Sequence, residues 1–206
     1  VEKRIAPVSP PAGFTLSSLL KAAWAMTLAE TFASPDPATA QANPAVVFGQ
    51  VVHGRGVGVP HEDRILGPCI SIVPVRVNID HAAPQVDLLR QIQQQMVETM
   101  PYTTLGFDDI CENRTTWPKG TKLPSFLRIR NYQFTPPCWL EGVPCEATHY
   151  GIPNKPSPSA NVHIVPSATG IHVDITISSH VLGPKQVEFL VDRFCRTIQL
   201  FDAGAI

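Results

Sequence analysis

The 206-residue chain contains no apolar run near the ~18 residues of a membrane span and opens on no signal-like segment, so a cytoplasmic protein without a membrane partner is expected. Lysine and arginine total 16 against 17 acidic residues, which leaves no field of one sign to attract nucleic acid or an anionic lipid surface. The five cysteines, Cys69, Cys111, Cys138, Cys145 and Cys195, make no C-x-x-C pair and do not cluster with histidine. Reduced thiols are expected, with a Cys138–Cys145 disulfide as the alternative. Gly54, Gly56 and Gly58 lack the Lys-Ser/Thr and the helix start of a phosphate loop. No Gly-x-Ser-x-Gly elbow frames a serine, so Ser178, Ser179 and His180 read as a polar strand end. None of the seven histidines pairs with another at metal-ligand spacing, and no metal is expected.

What is present suffices for a sizeable core: 44% of the residues are hydrophobic, and the length fits one ordinary domain or two small ones. Most of the 21 prolines fall in residues 7–11, 35–44, 136–144 and 153–166, between apolar segments. Thr15 is placed to cap a helix reaching about Phe32, whose apolar band of Leu16, Leu19, Leu20, Ala23, Trp24, Ala25 and Leu28 is broad enough for burial nearly all round. Ala45–His53 reads as a strand in which Gly49 marks a bulge or a close approach. A helix is expected from about Pro84 to Met100, with Leu88, Leu89, Ile92 and Met96 inward and Gln91, Gln93, Gln94 and Gln95 mostly outward. Gly106–Cys111 suggests a short helical turn, its Asp108, Asp109 and Glu112 a solvated helix start. Ser125–Phe134 alternates as a strand, and Asn161–Val165 and Gly170–Ser178 form a hairpin on which His163 and His172 could face each other. A last helix begins at Gly183-Pro184 with Val187, Leu190, Val191, Phe194 and Ile198 as its stripe. This order describes an α/β fold, an αβα sandwich with a mixed sheet.

The segment around which the rest is placed is Leu66–Val77, a Gly-Pro turn leading into a strand of β-branched residues that ends near Arg76. Ser71 is its polar interruption, and its hydroxyl requires a partner or an open cavity. The preceding loop, residues 53–65, is long and glycine-rich, a type that often carries function. Arg55, Arg64 and Arg76 flank the segment, and Arg76 is expected to hold structure through an ion pair.

These residues resemble the C-terminal lobe of a condensation domain of fungal nonribosomal peptide synthetases, which has a chloramphenicol-acetyltransferase-like two-lobe fold. Gly67-Pro68-Cys69-Ile70-Ser71-Ile72-Val73-Pro74-Val75-Arg76 is similar to the family segment Gly-x-Phe-Val-Asn-Thr-Leu-x-x-Arg. Thr15 to Ala25, Val46-Val47-Phe48-Gly49, the loop from Gly54-Arg55 to Val59-Pro60, Met100–Ile110, and Trp117-Pro118 with Ser125–Gln133 stand in family order. Ser71 and Ile72 replace the family's asparagine and threonine, and the His-x-x-Pro-Leu segment is poorly kept as Tyr102-Thr103-Thr104-Leu105. Both departures suit a terminal, product-releasing variant. The family's catalytic His-His-x-x-x-Asp-Gly is not found, since the chain has no His-His pair.

The resemblance implies a division into residues 1–14, a Pro-rich lead-in from an N-terminal lobe, residues 15–202, the C-terminal lobe, and residues 203–206, a tail. It implies amide bond formation between carrier-bound aminoacyl or peptidyl thioesters, or cyclisation and release. No cofactor is bound directly; the phosphopantetheine arm of a carrier protein presents the substrate. The implied partners are the N-terminal lobe and peptidyl-carrier domains. Cys69, Ser71, Arg76, Asn131 and Gln133 would line the substrate tunnel, and Gly54, Arg55 and Arg64 would belong to a loop closing its floor. The alternative is a noncatalytic condensation-like platform that recruits carrier or tailoring proteins. A plant-type acyl-CoA acyltransferase of the same fold fits less well, because the Asp-Phe-Gly-Trp-Gly segment is missing.

Overall fold

The computed structural model describes residues 1–33, 45–56, 58–130, 138–145 and 159–202. Eight strands and four α-helices are found among them, in the order β1 (Glu2–Ile5), α1 (Leu16–Thr31), β2 (Ala45–His53), β3 (Ile70–Asn78), α2 (Gln85–Thr99), α3 (Phe107–Arg114), β4 (Ser125–Ile129), β5 (Cys138–Leu140), β6 (Val143–Cys145), β7 (Ala160–Ser167), β8 (Gly170–Thr176) and α4 (Pro184–Leu200). Six strands form one mixed sheet in the order β1-β8-β7-β4-β2-β3, and β5 and β6 pair separately. The inner pairs β2–β4 and β4–β7 are parallel; β2–β3, β7–β8 and β1–β8 are antiparallel.

Helix α1 forms where Thr15 predicts it. The Thr15 hydroxyl accepts from Ser18 N at 3.1 Å, satisfying one of the donors that a helix start leaves open. The helix is buried nearly all round because α2, α4 and the sheet surround it. Trp24 anchors this layer: its indole N–H donates to Ser125 Oγ at 3.0 Å, and its ring meets Phe194 edge to face at 5.1 Å. The α4 stripe of Val187, Leu190, Val191, Phe194 and Ile198 is buried as its spacing requires. Inward strand residues Phe48, Val75, Val77, Leu127, Val162, Ile164, Val173 and Ile175 complete the core.

The sandwich is uneven. Helices α1, α2 and α4 cover one face of the sheet, whereas α3 and the segment leading to Leu123 lie on the other. Gly49 resolves as a close approach, since its ladder to β3 runs without a bulge. A Cβ there would sit 2.7 Å from the Phe126 ring and 3.0 Å from side-chain carbons of Ile72 and Leu123. Gly170 begins β8 at φ +148, and a Cβ there would collide with the Ile5 carbonyl of β1.

Several expectations change. Glu2–Ile5, part of the lead-in, is an edge strand of the main sheet; only Ile5 is buried, so the segment carries no alternation to reveal it, and β8 supplies the pairing. The strand expected from Leu66 starts at Ile70, because Gly67 adopts φ +148 and Pro68 has no N–H for the ladder. Helix α3 extends to Arg114, beyond the expected single turn. Gln93 and Gln95 face neighbouring elements, not solvent alone. Gln93 accepts from Thr15 N at 3.0 Å and Ser18 Oγ at 3.2 Å and donates to Gly13 O at 2.8 Å. Gln95 donates to the free-edge carbonyl of Arg76 at 2.9 Å.

Candidate functional site

The loop between β2 and β3 is built to hold its shape. Gly54 N donates to Cys69 O at 2.6 Å, which extends the hairpin by one rung. Arg55 then ties the two limbs together, its Nη2 donating to Ile65 O at 3.1 Å and Gly67 O at 3.4 Å. Gly56 N donates to Glu62 Oε1 at 2.6 Å, and Glu62–Arg64 form a 3-10 turn after His61, which sits at φ 61. Arg55 is thereby a loop-shaping residue, while Arg64 projects from the tip. Val59, Ile65, Leu66 and Ile70 are exposed on this loop and strand start, an apolar edge turned to the outside.

The tunnel candidates on β3 divide between two faces. Successive strand residues alternate, so Ser71 points to the helix-covered side with Val73, Val75 and Val77, while Arg76 points to the other side with Pro74 and Ile72. One wall cannot carry both side chains. Cys69 precedes the strand, half-buried, with its carbonyl committed to Gly54. The ion pair expected of Arg76 is not formed among the described residues. Arg76 instead lines a groove with Arg114, Asn113, Thr116 and Trp117, beside α3. Asn131 and Gln133 lie outside the described residues.

On the helix-covered side stands a charge that the apolar reading of α1 passes over. Lys21 is 1% exposed, and its ammonium donates to Gln50 Oε1 at 3.1 Å. Burial pushes its pKa down to about 8. Gln50 pairs in register with Val73 and Ser71 with Val52, so Gln50 and Ser71 are diagonal neighbours on one face. A lysine set between Leu20 and Ala22, inside the apolar band of α1, was the available sequence signal.

The second face carries a row of charged and polar residues, one per strand: Arg128 on β4, His163 on β7, Asp174 on β8 and Glu2 on β1. His163 is held below the ordinary histidine range by burial first, then by the Arg128 and Arg130 charges, against the opposing pull of Asp174. His163 and His172 are not opposite one another; each stands across from Asp174 and Val165 respectively. Cys138 and Cys145 are register partners in the β5–β6 pair, and Cys145 is a free thiol.

The condensation-domain family model matches residues 1–199. The nonribosomal peptide synthetase chyA of Penicillium rubens is 43% identical over 195 residues, covering 94% of this chain and 8% of that protein. Nonribosomal peptide synthetase 6 of Aspergillus fumigatus is 32% identical over 197 residues, covering 95% of this chain and 14% of its own length. Among solved structures, holo T3CT superposes with a TM-score of 0.81 at 24% identity, over 98% of this chain and 45% of that one. The starter condensation domain of rhizomide synthetase RzmA superposes with a TM-score of 0.72 at 17% identity, over 100% of this chain and 48% of its own. The chain thus spans a small part of these synthetases and less than half of the solved chains. With the mixed sheet and helices of the chloramphenicol-acetyltransferase-like fold and a family match along nearly its whole length, this chain belongs to the condensation-domain family.

Proposed function

We propose that the chain is the C-terminal lobe of a condensation domain in a fungal nonribosomal peptide synthetase, and that it supplies a wall and a floor loop to the site where a carrier-bound amine meets a carrier-bound thioester. The observation that carries this reading is the family match over residues 1–199. In the reaction the amine nitrogen attacks the thioester carbonyl, the C–N bond forms, the C–S bond breaks, and the departing thiolate of the phosphopantetheine arm takes up the proton the amine releases. Holding both arms at attack distance contributes much of the acceleration in such transfers. The stiffened loop from Gly54 to Cys69, with its apolar exposed edge, suits a floor that packs against the other lobe. Ser71 and Arg76 are candidates for opposite sides of strand β3, and a terminal, cyclising role is the finer form of the same chemistry.

The test is a synthetase fragment that contains this chain together with the rest of its condensation domain, supplied with donor and acceptor carriers bearing aminoacyl or peptidyl thioesters. Mass spectrometry is expected to find the amide, or the cyclic product from a single loaded carrier. Ser71→Phe is expected to stop turnover, and because Ser71 shares the helix-covered face of β3 the melting temperature is read beside it, Ser71→Val serving as the smaller control that keeps the fold. Unchanged product formation would remove Ser71 from the tunnel, and no product with both carriers loaded would refute catalysis in favour of the recruiting platform.

A further inference from the structure

The charge sealed at Lys21 is a feature that core packing does not account for. Its ammonium is 1% exposed, forms no ion pair among the described residues, and has a single hydrogen bond, to Gln50 Oε1 at 3.1 Å. Burying a cation against one neutral acceptor is unfavourable, and a methionine would fill the same space without that cost. The ammonium does impose an orientation. It carries three N–H donors and no acceptor, so the oxygen of the Gln50 amide must face it and the Nε2 donors must turn away. Gln50 on β2 and Ser71 on β3 share one sheet face as diagonal neighbours, Gln50 standing opposite Val73 and Ser71 opposite Val52. Both are half-buried. Neither Gln50 Nε2 nor the Ser71 hydroxyl has a hydrogen-bond partner among the described residues, and neither atom is sealed from solvent. The face therefore offers an amide N–H and a hydroxyl close together and open. Neither strand contains an acidic residue, so the pair suits an acceptor and not a cation.

We propose that Lys21 is a positioning residue: it holds the Gln50 amide with its N–H donors free, so that Gln50 and Ser71 together bind a carbonyl oxygen of the carrier-borne substrate. The inference rests on this face of β3 lining the site, as proposed above. Amide carbonyls occur both in a phosphopantetheine arm and in a peptidyl chain, and either supplies the same acceptor. A lysine that weakens the core is kept because removing it frees the amide to turn.

The test measures amide formation by the fragment that contains the whole condensation domain, with one loaded carrier varied at a time and melting temperatures taken beside it. Lys21→Met removes the donor and keeps the volume. Gln50→Glu keeps the shape and gives Lys21 an ion-pair partner, but offers no N–H. Each variant is expected to hold or raise the melting temperature and to raise KM by about three- to tenfold, as loss of one hydrogen bond would, with kcat within about twofold of wild type. Lys21→Met/Gln50→Leu should raise KM no further than Gln50→Glu does, because Lys21 acts only through Gln50. Equal rises with aminoacyl and peptidyl carriers assign the carbonyl to the arm, and a rise confined to peptidyl carriers assigns it to the peptidyl chain. A wild-type KM in either single variant overturns the proposal. So does activity lost only through kcat and in step with the melting temperature, which marks a structural pair. If the wild-type domain makes no amide from loaded carriers, the catalytic reading falls and this inference with it, an outcome distinct from a wild-type KM in an active variant.

Discussion

Replacing Lys21 by methionine gives the sharpest test of the core energetics. The ammonium is 1% exposed and has one hydrogen bond, to Gln50 Oε1, with no ion pair among the described residues. A lysine ordinarily at 10.5 and held at about 8 corresponds, at about 1.4 kcal/mol per pH unit, to about 3 kcal/mol of unfavourable free energy in the charged folded state. Below pH 8 the group is charged in both folded and unfolded chains, and the whole penalty is present. Between about 8 and 10.5 the folded chain has released a proton that the unfolded chain still binds, so stability climbs with pH. Above 10.5 the lysine is neutral in both states and the penalty is gone. Urea unfolding at closely spaced pH values, followed by fluorescence, gives both stability curves; subtracting the Lys21→Met curve from wild type cancels every titration the two share. The difference should rise by about 3 kcal/mol across that window. At pH 7 the variant should be more stable by about 1 kcal/mol, since Gln50 loses its donor and offsets part of the gain. A flat difference curve, or a loss above about 2 kcal/mol at pH 7, would refute the reasoning by showing that the ammonium is compensated in the fold.

Other substitutions probe the remaining elements. Gly170→Ala should cost about 2 kcal/mol or more in urea unfolding, from its φ of +148 and the collision with the Ile5 carbonyl, and wild-type stability in that variant would place β1 elsewhere. Burial pushes the Cys195 thiol up to about 11 from 9.0, so stability should fall as pH rises from 9 to 11, and iodoacetamide mass labelling of the native chain should modify exposed Cys145 well before Cys195. His163 is depressed below 6.5, so the unfolded chain binds protons first as pH falls and stability should decline below that value; Arg128→Met should move the His163 titration upward in an NMR pH series, and an unmoved titration would separate the two residues.

Much of the fold was legible in the sequence because its signals are local. The Thr15 cap, the α4 stripe and the β7–β8 hairpin depend on neighbours within a few residues, so periodicity and capping place them correctly. The same local rule misplaced the start of β3, where one glycine conformation and one missing N–H shift a strand by several residues. Strand β1 escaped notice because four mostly polar residues carry no pattern of their own and become a strand only against β8, more than 160 residues away in sequence. The segment between β2 and β3 was legible as a loop, but the role of Arg55 as its internal tie was not, since that depends on the carbonyls of Ile65 and Gly67 turning inward.

By itself the sequence determined the class of fold, the family segment from Gly67 to Arg76, and the lack of the paired histidines, because composition, periodicity and motif order are properties of the chain as written. Only the tertiary structure decided which residues share a face. The β pleat separates Ser71 from Arg76, the packing of three helices seals Lys21 over Gln50, and strand register draws Arg128 and His163 together from sites 35 positions apart in sequence. Burial and pairing depend on what lies opposite a side chain, and in a mixed sheet that is set by strand order and register between distant segments.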